Sequence, residues 1–178
     1  SYHGQMVTYT YPMIGNYGAS EHLLESDRVH SRAIIVREAK NTAWNSTCPE
    51  GWIDWLTERG IVGVGGIDTR ALTRRIREHG AMPACVAAGP DVRVDELLAA
   101  AQAFPDMAGQ DLASAVTCSE PYEWLPGLTA PELTARDATA RAPMASEPAA
   151  LGRETVFHVV AYDYGIKRSI LRNLSAVG

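Results

Sequence analysis

Five prolines fall between Pro121 and Pro148, in a stretch otherwise dominated by Ala, Thr and Glu and without apolar periodicity. Proline removes a backbone donor and is excluded from helix interiors and central strands, so no regular element can run through this part of the chain. It reads as a linker over 121–154, and it divides the 178 residues into a large block, 1–120, and a short one, 155–178. The short block opens with a strand-like run, Val156 to Tyr162, and turns at Asp163-Tyr164-Gly165. It then carries Ile166, Ile170, Leu171 and Leu174 at helical spacing as far as Val177. A lone β-turn-α unit cannot bury its sheet face without neighbouring strands. The expected organisation is one domain, a linker, and the opening of a second domain that these residues do not finish.

Within the large block the signals alternate between strand and helix. Gln5 to Tyr11 is rich in β-branched and aromatic residues and stops at Pro12, as a strand does. The glycines and asparagine of Ile14-Gly15-Asn16-Tyr17-Gly18 suit positive φ and predict a tight turn. Arg32 to Arg37 encloses Ala-Ile-Ile-Val, a buried strand. From Thr47 to Gly60 the chain carries helix signals: Thr47 or Cys48 to cap, Pro49 and Glu50 in the first turn, Gly60 to stop. Trp52, Ile53 and Leu56 would form its buried stripe. Ile61 to Val64 is a short apolar strand, and a second helix over Ala71–His79 follows Asp68 or Thr69 and ends at Gly80. Leu72 and Ile76 share one face of that helix and Arg70, Arg74 and Arg77 another. Ala84 to Ala88 reads as a strand, and Val94 to Phe104 as a helix stopped by Pro105. The fold class is α/β, with α+β mixed character.

Charge and cysteine content narrow the functions open to it. A net charge of -5 argues against nucleic acid as the main partner, since phosphate binding wants a basic domain. The longest apolar run, Ile61 to Ile67, is far too short to span a membrane, and no charged region precedes an apolar one as in a signal peptide. Cys48, Cys85 and Cys118 are odd in number and widely spaced, a poor disulfide framework and a poor metal cluster. They read as reduced thiols of a cytoplasmic protein.

Catalytic signatures are missing from these residues. Neither G-x-S-x-G nor G-x-C-x-G occurs, and His3, His22, His30, His79 and His158 form no H-x-x-x-H pair. The Asp163-Tyr164-Gly165 turn lies where open α/β folds place ligands, with Lys167 and Arg168 beside it, but it matches no phosphate-loop fingerprint. Gly66, Asp68 and Thr69 are explained by a strand end and a helix cap. The Arg70, Arg74, Arg77 stripe, with Arg75 beside it, reads either as a solvated face or as a docking surface for an acidic partner.

Five segments in order carry a resemblance. They are Ser1-Tyr2, then Thr10 to Gly18, then Gly66-Ile67-Asp68-Thr69-Arg70-Ala71-Leu72-Thr73-Arg74, then Phe104-Pro105 with Gly109 to Ala113, and finally Phe157 to Arg168. Together they resemble the small subunit of carbamoyl phosphate synthetase over nearly the whole chain, apart from the linker. The resemblance implies a swivelling β/β/α-type N-terminal domain over 1–120, lacking its first strands. It also implies the first βα unit of a class I glutamine amidotransferase domain over 155–178. In that family a Cys-His-Glu triad hydrolyses L-glutamine through a thioester, and ammonia passes to a large subunit. The large subunit uses ATP, Mg and bicarbonate to make carbamoyl phosphate for arginine and pyrimidine synthesis. The elbow that carries the cysteine does not occur here, so the resemblance implies no catalytic residue and no cofactor or metal in this chain. Ser1 alone matches a glutamine contact, the serine of the family's Asp-Pro-Ser-Tyr stretch. A non-catalytic scaffold docking through Arg70, Arg74 and Arg77 is the alternative.

Overall fold

The apolar run Ala-Ile-Ile-Val becomes the centre of a sheet. In the computed structural model, which describes residues 2–44, 46, 48–124 and 158–177, strand β3 (Ala33–Ile35) lies between β1 (Met6–Thr8) and β5 (Val62–Val64). Both pairings are parallel, with Ile34 opposite Val7 on one side and Gly63 on the other. A parallel strand with neighbours on both sides is buried on both faces, which is why it reads as continuous apolar sequence instead of alternating. Ala33, Ile34 and Val36 are the most buried hydrophobic side chains described, at 0%, 4% and 3% exposure. A second, two-stranded parallel pair joins β2 (Met13–Ile14) to β4 (Glu38–Ala39).

Helix α1 (Trp52–Glu58) packs on β5 and buries Trp55 and Leu56. This corrects the expected stripe of Trp52, Ile53 and Leu56. Trp52 is half-buried, edge-on to the Tyr9 ring at 6.4 Å, and Ile53 is exposed. The helix start differs as well. Asn41 Oδ1 accepts from the N–H groups of Ile53 and Asp54 at 2.9 and 3.2 Å, and Asn41 Nδ2 donates to Asp54 at 2.8 Å. A capping group supplied from outside the local sequence meets the N–H groups of a helix that starts later than Pro49, and packing on β5 buries Trp55 and Leu56. Thr47 lies outside the described residues.

Helix α2 (Thr69–His79) is capped by Asp68, whose Oδ1 accepts from Ala71 N at 2.9 Å, and ends at Gly80 with φ of 82°. Helix α3 (Val94–Ala103) buries none of its residues. Ala84 to Ala88 forms no strand, because no described strand lies beside it to take its backbone groups. The same correction applies to His158–Tyr162, the described part of the expected final strand, where Val160 and Tyr162 are 78% and 83% exposed. Helix α4 (Arg168–Val177) forms as expected.

The chain divides into two units: Ser1–Ser20 with Val29–Ala115, and Glu21–Arg28 with Val116–Gly178. The sheet, α1, α2 and α3 belong to the first; a 3-10 turn at Glu21–Leu23 and α4 belong to the second.

Gly15 and Gly18 act through space and through φ. Gly15 has φ of +90°, and a Cβ there would collide with the carbonyl oxygen of Lys40, whose N–H bonds Ile14 O at 2.7 Å. Gly18, at +70°, would press on Glu50 O, which accepts from Ala19 N at 2.9 Å. Gly15 thus lets the β2–β4 pair close, and Gly18 the bridge between Ala19 and Glu50. Gly60 also has positive φ, +64°, but open space around it. Gly15→Ala is therefore expected to cost upwards of about 3 kcal/mol, and Gly60→Ala only about 1 kcal/mol, in urea unfolding. Equal costs would show that the approach to Lys40 is not tight.

Candidate functional site

The Asp68 cap fixes the rotation of α2 and so decides what its faces present. Thr69 is buried at 2% exposure and Leu72 and Ile76 are half-buried, leaving Arg70, Arg74, Arg75 and Arg77 exposed. None of the four is ion-paired with a carboxylate among the described residues. Positions 70, 74 and 77 follow i, i+4, i+7, which puts them in one row spanning about 10 Å along the helix. Beside them a shallow hollow of about 220 Å³ is lined by Ala71, Arg74, Arg75 and Glu78. Guanidinium groups in a row match carboxylates or phosphates, each taken by a two-pronged bond.

A larger hollow of about 430 Å³ opens where α1 meets the sheet, between Ile34, Val36, Trp52, Leu56 and Val64. Its lining is mostly apolar and offers no convergent set of acids, bases or nucleophiles.

The Asp163 turn of the second unit is already fully bonded. Asp163 Oδ1 accepts from Gly165 N and Ile166 N at 2.8 Å each, and Oδ2 accepts from the Tyr122 hydroxyl at 2.7 Å. Partial burial pushes the Asp163 carboxyl up, but the two N–H donors and the Tyr122 hydroxyl outweigh it and hold it below its ordinary value. Burial, reinforced by the facing carboxylate, pushes the Tyr122 hydroxyl well up, so it remains a donor. Gly165 sits at φ +88°, and a Cβ there would press on Val116 at 3.1 Å. The carboxylate is used mainly in shaping the turn, with both oxygens already accepting hydrogen bonds.

At the start of α4, Lys167 is exposed while Arg168 is half-buried. Burial lowers the Arg168 guanidinium, with Asp27 opposing that effect. Glu25, from the Glu21–Arg28 segment, accepts from Ser169 N at 2.8 Å and pairs with Arg172. Partial burial raises its carboxyl, but the Ser169 bonds and the Arg172 and Lys167 charges bring it below its ordinary value.

Ser1, the expected glutamine contact, lies outside the described residues. Cys48 is half-buried and Cys85 and Cys118 exposed, and none of the three forms a disulfide among the described residues. The rings of His3 and His30 meet edge-on at 5.8 Å, a pairing that spacing did not suggest. Among the described residues no group of three or more His, Cys, Asp or Glu could hold a metal ion. No helix of the described residues is long and apolar enough to cross a membrane. Sequence reasoning missed Asn41, Glu25 and Tyr122, which act on groups 12, 144 and 41 residues away.

The family model described as carbamoyl-phosphate synthase small chain, CPSase domain, matches residues 1–86. The carbamoyl phosphate synthase small chain of Pseudomonas aeruginosa is 40% identical over 178 residues, covering 100% of this chain and 44% of that protein. This chain is similar to carbamoyl phosphate synthase small chains along its whole length. The small chain of Nitratidesulfovibrio vulgaris is 42% identical over 178 residues, and that of Yersinia pestis 42% over 175. The chain spans 44% of the length of the first of these small chains and 42% of the last. The part matched by the small-chain model runs from β1 past α2, and so includes both close-approach glycines and the arginine face.

The depressed Asp163 carboxyl fixes a sign for pH. A group whose folded pKa lies below its unfolded one contributes stability above the ordinary value, 3.8, and loses it as pH falls through the folded value. Unfolding of α4, followed by helical circular dichroism, is expected to become easier below about pH 4, and Asp163→Asn to flatten that dependence in part. An unchanged pH profile in Asp163→Asn would remove Asp163 from the account.

Proposed function

We propose that this chain works as part of the small chain of a glutamine-hydrolysing carbamoyl phosphate synthase in the cytoplasm. The observation that carries this is identity of 40% to a small chain over 178 residues, a span that contains all five ordered motifs. On this reading residues 1–120 form the swivelling β/β/α-type domain, 121–154 a linker, and 155–178 the entry to a class I glutamine amidotransferase domain. The partner is the large chain, which would bind ATP and Mg and receive ammonia released from L-glutamine. Ser1 would contact the glutamine. Arginine and pyrimidine synthesis would draw on the product.

The 178 residues hold no G-x-C-x-G elbow, so the chain by itself is expected to form no thioester with glutamine. Purified alone, it should release no glutamate above the no-protein rate, while co-expression with a carbamoyl phosphate synthase large chain should give a stable complex. Glutamate release by the isolated chain would overturn the first expectation, and absence of any complex would overturn the subunit role.

The exposed arginine row, which no carboxylate among the described residues pairs, favours a second reading, in which the chain is a non-catalytic scaffold docking an acidic partner through Arg70, Arg74 and Arg77. Reversing the three to Glu is expected to slow association with the large chain at least about tenfold at low salt, with the difference narrowing as salt is raised. Association that stays unchanged at low salt removes the arginine row from the interface.

A further inference from the structure

The first turn of α4 is held from a great distance in sequence. Arg168 N donates to the carbonyl oxygen of Glu25 at 3.1 Å, Ser169 N donates to Glu25 Oε2 at 2.8 Å, and the Arg172 guanidinium closes on Oε1. One residue thus meets two of the N–H groups that a helix start leaves open. Its negative charge also sits at the positive end of the dipole. The donor and acceptor are 144 residues apart. Besides Glu25 and the Asp163 turn that leads into the helix, side-chain packing on it is sparse: of its described side chains only Leu171 is buried, and Ile170 and Leu174 are 47% and 41% exposed.

The placement of this acid in the chain is unusual. Glu21–Arg28 groups with 116–178, yet Ser20 before it and Val29 after it group with the first unit. The segment is an excursion whose two ends are anchored in the strands' own unit, leading from β2 into it and from it to β3. Ser26 Oγ donates to Arg28 O at 2.8 Å and tightens its far end.

We propose that Glu21–Arg28 is a detachable clasp, in which the docking of Glu25 on Arg168, Ser169 and Arg172 decides whether α4 is ordered. Displacing Glu25 releases α4 while the β1–β3–β5 sheet stays intact. Nothing in this depends on the ammonia-supplying role. Local opening of a weakly packed element separately from the core is the behaviour expected where few apolar contacts hold it.

Amide hydrogen exchange on the 178-residue chain tests it. In Glu25→Ala the amides from Ser169 to Leu174 are expected to exchange about tenfold faster, while those of Ile34, Val36 and Val64 keep their rates. Glu25→Gln keeps an oxygen for the Ser169 N–H but gives up the charge, and should accelerate the same α4 amides to a smaller degree. Rates in α4 that remain within about twofold of the unmodified chain in both variants would overturn the clasp. So would an equal acceleration in α4 and in the sheet, which would make Glu25 a contributor to global stability only.

Discussion

The first unit rests on the pairing of β3 on both sides. A strand's N–H and C=O groups have to be met by neighbours, and β3 meets them with β1 and β5 in register. Val36 N extends the ladder to Val64 O at 2.9 Å, and Gly66 N to Arg37 O at 2.9 Å. Through these bonds the strand end at Gly66 is set, and with it the entry to α2. The same requirement explains where strands fail to form. Ala84–Ala88 and His158–Tyr162 have apolar, strand-like sequence, yet neither has a described partner strand and neither forms a regular element. Apolar character selects a buried strand only when a neighbour is present to complete it.

Legibility in the sequence followed the range of the interaction responsible. Asp68 and Gly80 bracket α2 within its own sequence, so its position and its arginine face were readable directly. The run Ala33 to Val36 announced a central strand because burial on both faces leaves a purely apolar signature. The start of α1 was not readable, since its cap is Asn41, separated from the helix by a loop that carries no periodic signal. The helix starts past Pro49, and Trp55 lies in the core in place of Ile53. Tyr122 and Glu25 were invisible for the same reason: a hydrogen bond across 41 or 144 residues leaves no local pattern. The order of motifs was a stronger functional signal than any site, because these residues contain no catalytic constellation to be read.

Physical roles can now be given to the motifs that mark the family relationship. Gly15 and Gly18 are required by backbone approach to Lys40 and Glu50, and Gly66 and Asp68 by the strand-to-helix junction. Asp163 and Gly165 make a turn that is bonded internally and to Tyr122. Each of these is architectural. The residues of the same motifs left over once architecture is satisfied are few, and Arg70 and Arg74 are the charged ones among them on α2.

That remainder bears on what the first unit is for. Of the four described α-helices, α1 and α4 take acceptors brought from elsewhere in the chain, α3 has no side-chain cap, and only α2 caps itself. A helix that closes its own N-terminus and seats Thr69 in the core keeps its outer face in one orientation. Long arginine side chains lose much conformational freedom on binding, so a fixed backbone beneath them reduces the ordering that docking requires. The exposed cations are therefore carried by a helix whose cap needs no other segment of the chain. In a chain of net charge -5, they form a local field of opposite sign to the whole. Such a field steers an acidic partner to one face and repels acidic ones elsewhere, which is a specificity that buried area alone does not give.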